Sequence, residues 1–463
     1  MNFLDDISWL LPQPKAQQLY HEIAKHCPII DFHTHLDPER FAKDEPFADF
    51  SELWIAADPY KWRAMRMNGI PERVITGEAE PVERFRAWAE TLLQLPGNPL
   101  FEWSHLELRR FFGIDDLLTP DSAGTIHEEV NRQLRMEESR PRALLRRGGV
   151  ETVVTSDQWL DSLNWHRQAA REEAQPSMLP SLRSDQALDV EAAGFRDFIA
   201  ELSERTGVSV DSLDSYLAAL DTRLDAFAEV GCRLADHGID ELFFEPCSQK
   251  EAEASFKTAL DGESLDPAQA ARLKTHLLIR LCAAYAKRGW TLQLHLGAQR
   301  ETSTRLAEAA GKAGGYACIG SSIDVRVLAR LLDAMEQDGA LPRTILYPLN
   351  PSDYEMMGSL LGSFAEDGVP GKLQLGPAWW FNDHRAGIER QLEAVSAYGL
   401  LGRFIGMVTD SRSYLSSVRH EVFRRLLCSR MGAWVEAGQL PDDDAFLRET
   451  IENISHRNAR RLI

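Results

Sequence analysis

The sequence predicts an α/β fold, a (β/α)8 barrel with helical insertions after its first and third strands. Three observations lead there. Eight short β-type runs, each bounded by polar residues or by Gly/Pro, follow one another along the chain. Amphipathic stretches such as 268–288, with apolar residues at helical spacing, separate them. This alternation implies a parallel sheet with helical crossovers, and no glycine-rich phosphate turn opens it as in a doubly wound sheet.

The runs are 28–33 (PIIDFH), 151–155 (ETVVT), 177–183 (SMLPSLR) and 241–245 (ELFFE), then 291–296 (TLQLHL), 343–349 (RTILYPL), 372–376 (KLQLG) and 403–409 (RFIGMVT). Two connections exceed a plain crossover, and both read as helical. Structureless loops of that length are rare in compact domains, so residues 38–149 and 184–238 are expected to be helical insertions. They follow strands one and three, which puts them on the C-terminal face of a barrel, where βα loops build the site. The first is expected to form a cap. The whole chain, 1–463, is then one domain.

Composition narrows the partners. With 51 Lys+Arg against 71 Asp+Glu, the net charge is -20, and no polybasic run occurs. That argues against nucleic acid or an anionic membrane surface as a partner. No apolar stretch approaches membrane-spanning length, and the opening MNFLDDISWLLPQPK carries acids where a secretory signal carries bases. A cytoplasmic location is expected, and a homo-oligomer is a fair expectation for an enzyme of this size. The six cysteines are scattered without a CxxC and read as reduced, structural thiols. GxSxG, Walker and GxGxxG signatures are absent, which disfavours serine hydrolases, NTPases and Rossmann oxidoreductases.

The sharpest chemical signal is Asp31-Phe32-His33-Thr34-His35 at the end of strand one. Residues two apart on a strand face the same side, so His33 and His35 can converge on one metal ion. An HxH alone is weak, and one satisfied polar His beside one surface His is the plainer reading. His295 ends strand five, however, and Asp410 ends strand eight inside an apolar run. A carboxylate there is costly to bury without a partner, and neutral imidazoles around a divalent cation supply one. Arg412, two residues on, can face the same site or pair with a nearby carboxylate. Arg183, ending strand three, can grip an anionic substrate by a bidentate contact, or pair with Asp157 or Asp185. In the first insertion, Tyr60, Arg63 and Arg66 can reach a substrate if that segment closes. Trp379 and Trp380 can line a sugar-sized pocket, although packing is the commoner role of paired aromatics.

HxH after strand one, a His at strand five and an Asp at strand eight resemble the amidohydrolase superfamily. Within it, the chain resembles the uronate (glucuronate) isomerase family along nearly its full length. The matching stretches are DFHTHLDP (31–38), YKWRAMRMNGI (60–70), GNPLFEWSHLELRRFFGI (97–114) and RGWTLQLHLGAQR (288–300), then ILYPLNPSD (345–353), WWFND (379–383) and GMVTDSRSYLSSVRHEVFRRLL (406–427). The resemblance implies interconversion of D-glucuronate with D-fructuronate and of D-galacturonate with D-tagaturonate, by proton transfer between C2 and C1. It implies one divalent ion, zinc first and manganese second, on His33, His35 and Asp410. His295 then lies beside the ion or the substrate. Asp410, Arg412, Tyr60 and His295 make the catalytic set. Arg183, Arg63, Trp379 and Trp380 are expected to bind the sugar acid.

Three places depart from the family's usual text. Pro59 stands where His is usual, and Leu182 and Ser184 stand for Trp and Pro. Residues 155–159 read TSDQW for the usual TTDDP. Pro59 offers no side-chain donor. An isomerase or metal-dependent hydrolase acting on another acid sugar or its lactone therefore stays open, as does a non-catalytic sugar-acid binding relative.

Overall fold

A computed structural model describes residues 3–337 and 339–463. Seven parallel strands form one curled sheet in the order β1-β2-β3-β4-β5-β8-β9. They are β1 (Ile29–Thr34), β2 (Val150–Gln158), β3 (Ser177–Arg183), β4 (Leu234–Ile239), β5 (Thr291–Leu296), β8 (Arg343–Pro348) and β9 (Leu373–Leu375). The short strands β6 (Ala298–Gln299) and β7 (Cys318–Ile319) pair antiparallel in the loop that follows β5. Helices pack around the curled sheet between its strands, in the alternation expected of a (β/α)8 barrel. β1 and β5 are buried along their whole length, as parallel strands covered on both faces must be.

Two strands differ from expectation. Residues 241–245 form no strand; they are an irregular, partly exposed loop, and the fourth strand is β4, seven residues earlier. Its text, LADHGI, contains Asp, His and Gly, which read as a turn. These polar groups are paired on the two faces of the strand instead: Ser181 Oγ lies 3.2 Å from Asp236 Oδ1, and His237 Nε2 lies 3.2 Å from the hydroxyl of Tyr285 on the helix Pro267–Lys287.

The eighth position is filled by residues 404–410 without forming a ladder strand. Gly406 at φ 83° and Asp410 at φ 49° both leave the extended region. A side chain at Gly406 would place Cβ 2.3 Å from the Ile454 carbonyl oxygen, so only glycine fits this approach. The segment is tied to β1 all the same. The Asp410 amide donates to the His33 carbonyl at 3.1 Å, and the His35 amide to the Ser411 carbonyl at 2.9 Å.

Residues 38–149 contain helices from Pro38–Lys43 through Pro141–Arg147. After β3 come a short 3-10 turn, Asp185–Leu188, and two helices, Phe195–Thr206 and Leu213–Glu229. β4 begins at Leu234, inside the 184–238 stretch expected to be helical, so the helical part ends at Glu229. The helix Pro59–Met67 begins with a strong N-cap: Asp58 Oδ1 accepts from the amides of Tyr60 and Lys61 at 2.9 and 3.2 Å. Pro59 sits in the first turn, where its missing N–H costs nothing.

Candidate active site

β1 delivers His33 and His35 to the C-terminal end of the sheet, and the closing segment brings Asp410 beside them. His35 Nε2 lies 3.0 Å and His33 Nε2 3.5 Å from Asp410 Oδ1. One ligand atom from each of the three lies within 4.8 Å of the others. Asp410 reaches this place in the left-handed region, which Asp tolerates better than most residues. Two clamps hold it: its own amide bond to β1, and the Asp31 carboxylate, which accepts from the Thr409 amide at 2.9 Å and the Thr409 hydroxyl at 2.6 Å.

The set fits a divalent cation on a physical test. Neither ring nitrogen of His33 has a hydrogen-bond partner, although the residue is only 1% exposed. His295 Nε2 is likewise buried without a partner, and Asp236 Oδ2 has no hydrogen bond, only the Arg183 guanidinium at 3.4 Å. Buried polar atoms are almost always paired, so three unpaired imidazole nitrogens on two rings 4.8 Å apart mark a place where something else binds. Neutral imidazole nitrogens with a carboxylate are the donors that first-row divalent ions take. Burial drives the His295 ring well below its ordinary pKa, which keeps it neutral. Burial pushes Asp410 up, but His33 and His35 outweigh this and hold its carboxyl well below the usual range. β4 carries no lysine and β8 no histidine, so the lysine bridge and the further histidine of a two-ion hydrolytic site are absent from these strands.

Around this centre the other expected residues divide into two groups. Trp379 packs at 4.6 Å over the His295 ring, and Trp380 follows at 5.5 Å from Trp379. Tyr60 is close enough to Asp410 for that carboxylate to add to the effect of burial, which raises the phenol well above its ordinary pKa. Arg412 is half-buried and disfavours the charged form of His35. Arg183 donates through Nε to Asp185 at 2.7 Å and lies 3.4 Å from Asp236. Arg63 is placed differently: it donates to the Ala317 carbonyl at 2.8 Å and sits 5.1 Å over the Phe381 ring, bridging the helix Pro59–Met67 to the loop after β5.

Several residues outside the expected set belong to the same neighbourhood. Arg300 is ion-paired with Asp240. A Cβ at Gly238 would lie 2.7 Å from Arg300 Nη2 and 3.1 Å from Arg183 Nη2, so this glycine lets two guanidinium groups converge. Arg419 donates to the Thr409 carbonyl at 2.9 Å, lies 3.6 Å from Asp383, and sits 5.2 Å over the Tyr60 ring and 4.0 Å over Trp103. It ties the closing segment, the first insertion and the post-β9 loop together. Asp383, buried with Oδ2 unpartnered, is pushed up to about 7, burial outweighing Arg419. The sequence signal for Arg300, Asp383 and Arg419 was their place in the family-like stretches 288–300, 379–383 and 406–427; Gly238 and Asp240 had none.

A family model described as glucuronate isomerase matches residues 1–463. The uronate isomerase of Bacillus pumilus is 44% identical over 459 residues, covering 99% of this chain and 96% of its own. Among crystal structures, the uronate isomerase of Thermotoga maritima superposes with a TM-score of 0.93 at 32% identity, covering all of both chains. The glucuronate isomerase of Caulobacter crescentus gives 0.91 at 25% identity, over 99% of this chain and 96% of its own.

Proposed function

The chain belongs to the glucuronate isomerase family, related to the amidohydrolase fold, and its activity is that of a uronate isomerase; we propose that it interconverts D-glucuronate with D-fructuronate and D-galacturonate with D-tagaturonate at the His33–His35–Asp410 centre. The observation that carries this is the convergence of those three side chains, next to orphaned His295, inside a chain that matches the family from end to end.

His33, His35 and Asp410 would hold one divalent ion, zinc first and manganese second. When bound, such an ion supplies Lewis-acid stabilisation of negative charge on substrate oxygen. The chain's own groups do the rest. Arg183, kept charged by Asp185 and Asp236, grips the anionic end of the sugar acid, with Arg300 beside it. Asp410, ionised by its two histidines, accepts the hydroxyl proton released as the sugar ring opens. Tyr60 and Arg412 are the groups nearest the migrating C2 proton. Trp379 and Trp380 cover the His295 side and exclude water from the enediol. Arg63 acts through the loop it holds, closing the first insertion as a cap. Pro59 removes one donor to the substrate carboxylate.

No helix among the described residues is long and apolar enough to cross a membrane. A cytoplasmic enzyme that takes a free sugar acid, forms a homo-oligomer and binds no nucleic acid fits the acidic composition. The test is proton NMR of both uronates in deuterated water with zinc- or manganese-loaded protein, beside His33→Ala. Ketouronate formed by the wild type alone is expected. No ketouronate from either epimer, with metal bound, sinks the assignment and points to the lactone or binding-only alternatives.

A further inference from the structure

A cavity of about 300 Å³ lies at the other end of β1, lined by Ile29, where the strand starts. His33 is four residues on, roughly 13 Å at about 3.3 Å per residue. In a chain of net charge -20, this cavity is walled by five basic side chains and only two acidic ones. Glu421 and Asp6 account for part of that charge. Glu421 accepts from Arg110 at 2.8 and 2.9 Å and from Arg425 at 3.0 Å, and Asp6 accepts from Arg110 at 2.5 Å.

Arg147, which is exposed, and Arg424, which is buried, are left without a carboxylate counter-charge. Arg147 donates to the carbonyls of Phe111 and Glu138 at 2.7 and 2.6 Å. Arg424 donates to those of Cys27, Pro28 and Ser455 at 2.7, 2.7 and 3.0 Å. Among the described residues no carboxylate lies within ion-pair distance of either. Carbonyl dipoles satisfy N–H groups but do not neutralise a buried cation. Arg424 is only 5% exposed, and its Nε has no hydrogen-bond partner. Lys25 adds a further cation at the rim, and Ser417 begins the 19-residue helix Val418–Glu436 at the cavity wall without capping it. The amides of Arg419 and His420 are bonded to the Ser416 and Ser417 carbonyls at 3.0 Å, so the helix start adds the positive end of its dipole rather than free donors. Facing Ser417 is Gly148, where a Cβ would fall 2.2 Å from the serine oxygen.

We infer that this cavity is a binding site for a phosphate-type oxyanion, held by Arg147, Arg424, Lys25 and the start of the Val418–Glu436 helix, at the opposite end of β1 from the metal-ligating residues. The shared chemistry is a compact, multiply charged tetrahedral anion, which inorganic phosphate and a small phosphate monoester both present. The uncompensated positive charge of Arg147, Arg424 and Lys25 matches such an anion, and the volume admits a small monoester.

The test is calorimetric titration of the full chain with inorganic phosphate and with glycerol 3-phosphate, at constant ionic strength. Wild type, Arg147→Gln, Lys25→Gln and Arg183→Gln proteins are compared. One saturable site is expected, weakened about tenfold or more in Arg147→Gln, less in Lys25→Gln, and unchanged in Arg183→Gln. Tighter binding of the ester assigns an organic phosphate; equal or tighter binding of the inorganic ion assigns free phosphate. Absence of saturable binding up to about 10 mM overturns the site. So does binding lost in Arg183→Gln but kept in Arg147→Gln, which would put the anion in the sugar-acid pocket. If Arg147→Gln does not fold, Lys25→Glu at the exposed rim decides: affinity must fall, and unchanged affinity rejects the proposal.

Discussion

At the residue scale, His33, His35 and Asp410 were legible because a period of two and the ends of strands fix direction as well as sequence position. The roles of Asp31, Asp236 and Asp383 were not, since nothing in a sequence distinguishes a buried carboxylate that clamps its neighbours from a surface one. The same holds for Asp157 and His166. The Thr155 hydroxyl lies 2.7 Å from Asp157 Oδ2 and 2.8 Å from His166 Nε2, and the two titratable groups are 3.5 Å apart. Burial pushes Asp157 up to about 8 and His166 down to about 4, so both are neutral near pH 7. In the unfolded chain the carboxyl ionises near about 3.9. Between that value and about 8 the folded state holds a proton that the unfolded state has released, and stability falls as pH rises. His166 acts in the other direction: below about 6.5 the unfolded ring takes a proton that the folded one refuses, so stability falls as pH drops towards 4. Asp157→Asn removes only the first effect. Its melting temperature relative to wild type is expected to climb from pH 5 to pH 8 and then level off. A pH-independent difference in thermal scans would refute the neutral carboxyl.

At the element scale, helices announced themselves through apolar periodicity, whereas the fourth strand did not. ELFFE at 241–245 has the aromatic content of a strand, yet it is the loop beyond β4; LADHGI is the strand, and its polar residues find partners on the neighbouring strand and on a covering helix. β-propensity reports a half-buried surface and misreads an interior strand that carries functional groups. The helix Pro59–Met67 shows how an element positions a reacting group. Asp58 caps it and also pairs with Lys61 at 2.7 Å, a lysine only 3% exposed and lying over Trp54 and Trp88. Asp58→Ala loses the cap and strands a buried cation, with an expected cost of about 3–5 kcal/mol in urea unfolding. Asp58→Asn keeps a capping oxygen and is expected to cost less. Because Tyr60 is the second residue of this helix, both variants should lower kcat while the metal content stays at the wild-type level. A normal kcat in Asp58→Ala would show that Tyr60 does not depend on the cap.

At the scale of the whole molecule, eight units, a parallel sheet and long helical connections were all readable; the way the barrel closes was not. The sheet ends at β9, and residues 404–410 complete it through single bonds to β1 rather than a ladder. The joint is chemical: Asp31 of β1 holds Thr409, and the proposed ligands straddle the same seam, two on β1 and one on the closing segment. An ion bound there links the first and last units of the barrel, and a ligand that binds only the folded state stabilises it by about 2.7 kcal/mol at a hundredfold excess over Kd. Chelation should therefore lower the melting temperature and expose the closing segment to protease, with both effects reversed by adding back zinc or manganese. Asp31→Asn weakens the protein half of the joint. It is expected to lose about 1.5–3 kcal/mol in the metal-loaded protein and also to bind metal less tightly, because Asp410 is no longer fixed. If chelation left the melting temperature and cleavage pattern unchanged while activity disappeared, the ion would serve the chemistry alone and the seam would be held by Asp31 and the backbone.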